Sequence, residues 1–213
     1  MRRLFVMASI MACLANDALA DQTDFLLAHM LGTIQVQSEP RMVGGKLSGC
    51  QYVFTAVTQD WVYRKGQYLK VDGSVGLMLI NGTLGSTLKV VVNEISIDRQ
   101  GVLLFTPAPP SRSYLLGADY STNLNGLVQA GASDTPGALF SVFSIGSTLK
   151  LLTEAVDTKK ITIAFNRAEG SSDILLPIEL DVKSIQDDGR KIRSDETAIN
   201  FASCILALLK NEK

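Results

Sequence analysis

The sequence predicts a mainly β fold of the α+β class: an antiparallel β-sandwich or open barrel with a C-terminal helix packed on it. Three observations predict this. Runs rich in β-branched and aromatic residues recur through the middle of the chain. Turn signals such as Asn81-Gly82 and Asp98 to Gly101 separate them at regular intervals, as in a meander. One clean amphipathic stripe then closes the chain.

The elements follow in order. Arg2 and Arg3, the apolar run Leu4 to Ala15, and the small residues Ala18 and Ala20 form the three parts of a cleaved secretory signal over residues 1–20. The apolar run is shorter than the ~20 residues a spanning helix needs, so cleavage is expected ahead of a retained anchor. A lipid attachment at Cys13 is weighed and set aside, since few apolar residues precede it. Residues 21–45 read as a lead-in, part helical over Phe25 to Leu31 and ended by Gly32, with Glu39-Pro40-Arg41 breaking any regular element and Gly44-Gly45 as a joint. Residues 46–213 read as a single β-rich domain.

Within it, Cys50 to Val57, Trp61 to Tyr68 and Ser74 to Ile80 read as strands, with Asp72-Gly73 as a turn. Leu88 to Ile97 and Val102 to Phe105 follow. Pro107, Pro109 and Pro110 exclude their segment from a central strand. Tyr114 to Gly137 reads as a long surface excursion with one helical turn or short strand in it. Ala138 to Ile145 is a strand, Ser147 to Asp157 a helix, and Lys160 to Phe165 and Ile174 to Leu180 a strand pair, with Pro177 marking an edge or bulge. The last helix spans 195–210. Ser194 caps it, and Ala198, Phe201, Ala202, Ile205, Leu208 and Leu209 form its stripe.

Composition excludes several classes. With 20 basic and 21 acidic side chains the formal net charge is −1, so no global field draws nucleic acid or anionic lipid. Once Cys13 leaves with the leader, one histidine, His29, and two cysteines, Cys50 and Cys204, cannot build a familiar zinc centre, and no metal or cofactor site is read. There is no Gly-x-Ser-x-Gly elbow, P-loop or zincin motif. Once Cys13 leaves with the leader, Cys50 and Cys204 are expected to pair in an oxidising compartment; a nucleophilic cysteine would need a base, and His29 sits in the lead-in. Asn81-Gly82-Thr83 is also a glycosylation sequon, though a weaker signal than Asn-Gly as a turn.

The remaining candidates are aromatic. On a strand, Trp61 and Tyr63 would share a face and could stack on a sugar or anchor a partner protein, together with Tyr68, Tyr114 and Tyr120. Against this stands Trp61 as the core tryptophan of a β domain, which is weighed ahead of it.

The return strand Ile174-Leu175-Leu176-Pro177 and the closing Phe201-x-x-Cys204-x-x-x-Leu208, behind a cleaved leader, resemble small exported proteins of Gram-negative α-proteobacteria. The resemblance implies a periplasmic setting and a Cys50–Cys204 bridge, and no activity. The expected function is therefore an exported, non-enzymatic envelope or secreted protein, periplasmic or extracellular, that binds another macromolecule. The alternatives are a cell-wall or surface carbohydrate hydrolase using paired carboxylates, and a small-ligand-binding β-barrel.

Overall fold

The computed structural model describes residue 25 and residues 27–210, except 99, 123 and 169. The leader reading falls outside these residues. Four long strands, β1 (Gly32–Val43), β2 (Lys46–Asp60), β3 (Gln67–Ile80) and β4 (Thr83–Ile97), form an antiparallel meander. Asn81 and Gly82 both take positive φ, the geometry of a tight hairpin. β5 (Leu103–Pro107) pairs with one end of β4. β8 (Ala138–Phe143) pairs with the other and carries β7 (Leu127–Ala132) outside it, so the large sheet has seven strands.

A three-stranded sheet, ordered β10-β9-β6, faces it: β6 (Ser113–Leu116), β9 (Lys160–Phe165) and β10 (Ile174–Glu179). A small hairpin of β11 (Val182–Ile185) and β12 (Lys191–Arg193) follows. Both sheets are open; the described strands do not close into a barrel. Two helices complete the fold, α1 (Ile145–Thr158) and α2 (Glu196–Lys210).

Strand alternation builds the core. Tyr52, Val75 and Leu88 lie directly opposite one another across β2, β3 and β4 and are all buried. Ile161, Ile163 and Phe165 of β9 and Ile174, Leu176 and Ile178 of β10 join the same core from the facing sheet. The stripe of α2 lays Phe201 on the Tyr52 ring, with centroids 3.9 Å apart. One turn further on, Cys204 forms a disulfide with Cys50 of β2. Burial pushes the Tyr52 phenol well above its usual range.

Several expectations need correction. The segment 21–45 is not merely a lead-in: Gly32–Val43 is the first strand of the large sheet, and Glu39, Pro40 and Arg41 pair with Gln51, Cys50 and Gly49. A proline is tolerated there because β1 is an edge strand. Asp72-Gly73 is no turn but the middle of β3. Gly73 lies opposite Phe54, and a Cβ on it would come within 2.5 Å of Phe54 Cζ and 2.3 Å of Lys89 O, so glycine is demanded by packing. Residues 61–66 form the β2–β3 turn rather than a strand, with Lys65 and Gly66 both at positive φ. Tyr114 to Leu116 belong to the half-buried strand β6 and not to a surface excursion; Leu115 has no exposed surface.

Candidate functional site

Asp60 ends β2 and organises the turn that follows. Its Oδ1 accepts the Tyr63 N–H at 2.7 Å, and its carbonyl accepts the Gly66 N–H at 2.8 Å. The turn throws Trp61 outward, 71 % exposed, with its ring against Gly66 and its Nε1 donating to Gln59 Oε1 at 3.2 Å. Trp61 is thus not a core tryptophan. Nor do Trp61 and Tyr63 share a strand face.

Tyr63 instead packs its ring on Gly170, and its hydroxyl donates to the Ser172 carbonyl. Tyr114 donates to Asp173 Oδ2 at 2.8 Å, and Arg112 Nε donates to Asp173 Oδ1 at 2.9 Å. Burial, reinforced by the hydrogen bond to the Asp173 carboxylate, raises the Tyr114 phenol above its ordinary value. Asn166 supports the same loop, accepting the Ser111 and Arg112 N–H groups and donating to Gly170 O. Tyr68 is half-buried beside Leu27, Val57 and Ile95. Tyr120 is 42 % exposed, with the Lys150 ammonium 5.7 Å from its ring centroid. The structure therefore joins Tyr63 and Tyr114 through one loop and gives Trp61, Tyr68 and Tyr120 separate surroundings; the five make no single surface.

Asp60, next to Trp61 in sequence, is held in an ion cluster. Asp60 has no exposed surface. Its Oδ2 lies 3.8 Å from Arg167 Nη1, while Arg167 Nη2 donates to Glu94 Oε1. Asp60 thus offers no face to a substrate, and its chemistry is structural.

An exposed apolar surface lies elsewhere, between the helices. Leu149, Leu152 and Val156 of α1 face Phe201, Ile205 and Leu206 of α2 across a groove of about 260 Å³ floored by Leu77. A second hollow of about 340 Å³ shares Val156, Ala202 and Leu206 with it and continues to Ala198 and Ile199. Leu206 is 60 % and Ile199 61 % exposed, although Phe201 and Leu208 of the same helix are buried. These residues were not among the sequence candidates. Their signal was available: α2 carries Ile199 and Leu206 off its core-facing stripe, so it is apolar on more than one face.

Fold and surface together define a disulfide-stapled α+β sandwich with an apolar groove between two helices. No family model, no curated protein and no solved structure matches this chain.

Proposed function

We propose that the protein is exported and acts by binding another macromolecule on the groove between α1 and α2. One observation carries this: large aliphatic side chains, Ile199 and Leu206 above all, stand in water on the apolar hollows beside α2. A contiguous exposed apolar patch of this kind marks an interaction surface. Two supports favour export. The leader pattern of residues 1–20 is one, and the Cys50–Cys204 bond, suited to an oxidising compartment, is the other. No helix among the described residues is long and apolar enough to cross a membrane.

The test is affinity capture from envelope and culture supernatant with the native chain and with Leu206→Asp and Ile199→Asp in parallel. The reading expects a partner retained by the native chain and weakened about tenfold or more by either variant, a loss of about 1.4 kcal/mol. Both variants should melt as the native chain does, since the altered side chains are exposed. A partner held equally well by all three chains, or none at all, sinks the reading. Export is checked separately by mass spectrometry of the processed chain, which should begin at Asp21.

A further inference from the structure

The outer strand of any sheet turns half its peptide groups away from its neighbour, and proteins ordinarily cover or charge such a strand. The large sheet has three outer strands, β1, β5 and β7, and treats them differently; β5 is short and ends in Pro107. Beside β1, Thr197 Oγ1 donates to Val36 O at 3.4 Å, the Glu179 N–H donates to Thr33 Oγ1 at 2.8 Å, and β11 and β10 pack alongside. At the opposite margin β7 is bare. All six of its residues are exposed, Val128 at 70 %. Its ladder runs to β8 alone, and no hydrogen bond among the described residues reaches its outer side.

The sequence does not guard this strand either. Residues 124–133, Leu-Asn-Gly-Leu-Val-Gln-Ala-Gly-Ala-Ser, contain no charge and no proline. A register shift falls between Leu127 and Gln129, but Gln129 to Ala132 pair regularly. Leu124, 43 % exposed, extends the apolar margin by one turn.

We propose that β7 pairs antiparallel with β7 of a second copy, so that one sheet runs through a twofold dimer. A twofold axis sets a strand against itself, and any charge near the axis would then face its like. β7 carries none. The small side chains of its regularly paired part, Ala130, Gly131 and Ala132, offer neither pocket nor charge with which to select a foreign strand, whereas self-pairing asks only for backbone groups and a neutral margin. Six residues per chain bury well under the ~1,200 Å² of a stable interface. So small an interface is expected to be reversible.

Sedimentation velocity on the disulfide-bonded chain, from about 1 to 500 µM, reads this directly. The native chain and Ala130→Thr should move reversibly from monomer to dimer. Ala130→Lys and Ala130→Glu should each weaken the dimer about tenfold or more, and an equimolar mixture of the two should regain it. Hydrogen exchange on the native chain supplies a readout free of any folding defect: amides of β7 should gain protection as concentration rises. A native chain monomeric throughout, β7 amides indifferent to concentration, or Ala130→Lys dimerising as tightly as native would overturn the proposal. So would a β7 that stays unpaired alone and is protected only by a foreign peptide. The Leu206→Asp variant should dimerise normally, which separates this outcome from that of the helix groove.

Discussion

Breaking the bond between Cys50 and Cys204 is the sharpest perturbation the structure offers. The cysteines are 154 residues apart in sequence, so the cross-link closes most of the chain into one loop. The chain-entropy relation gives about 5 kcal/mol for a loop of that length at 25 °C. Residual structure in the unfolded chain reduces this, and the local hairpins among β2, β3 and β4 are a natural source of it. A loss of roughly 3–5 kcal/mol is expected, a large part of the roughly 5–15 kcal/mol that holds a domain together. In a chain of this size that corresponds to a melting temperature lower by roughly 6–20 °C.

The folded state itself should change little, because Phe201 on Tyr52 and the buried Ala198 and Leu208 keep α2 on the sheet without the sulfurs. The assay is urea unfolding of native protein, reduced protein and the Cys50→Ser/Cys204→Ser double variant. The two uncrosslinked forms should agree, and both should show a larger denaturant slope as the freed chain expands. A loss below about 1 kcal/mol with an unchanged slope would refute the reasoning that the bond acts on the unfolded chain.

Three further outcomes follow from contacts described above. Gly73→Val places methyl groups where Phe54 and the Lys89 carbonyl already sit, and should cost about 1–3 kcal/mol or more in denaturant; a neutral result would mean that β3 shifts freely there. Arg167→Ala leaves Asp60 buried without its cation and should cost roughly 3–5 kcal/mol at neutral pH, with Asp60→Asn on the same background recovering part of it; no recovery would deny the charge coupling. For Glu179, burial alone would raise the carboxyl, but hydrogen bonds from Lys191 and Arg193 outweigh it and hold the group below its ordinary value. Its contribution is therefore complete above the unfolded value of about 4.3 and disappears as pH falls through the lower, folded one. Glu179→Gln should flatten that part of the acid-unfolding curve, and an unaltered curve would show that the carboxylate is not linked to folding.

Elements whose signals are local were legible in the sequence. The stripe of α2, the Asn81-Gly82 hairpin and the Lys160–Phe165 alternation each declare themselves within a few residues. The misreadings share a different cause. Gly73 reads as a turn residue until Phe54 is known to lie opposite it, and β6 is hidden because its partner β9 lies far downstream in a chain segment with no marked link to it. Aromatic richness at Trp61 to Tyr68 suggests a strand, yet the buried Asp60 and the positive φ of Lys65 and Gly66 make a turn of its first half. The helix groove combines flanks of α1 and α2 that are some fifty residues apart, so only the apolar excess on α2 hinted at it.

The same sulfur bridge has a consequence for wear. Hydrolysis of one peptide bond anywhere between residues 50 and 204, for instance beside the exposed Gly101, would yield two fragments that are still one molecule. Each fragment would keep its complement at high local concentration, and reassembly would remain a unimolecular event. No single cut inside that loop parts the molecule; separation takes a second cut or a reductant.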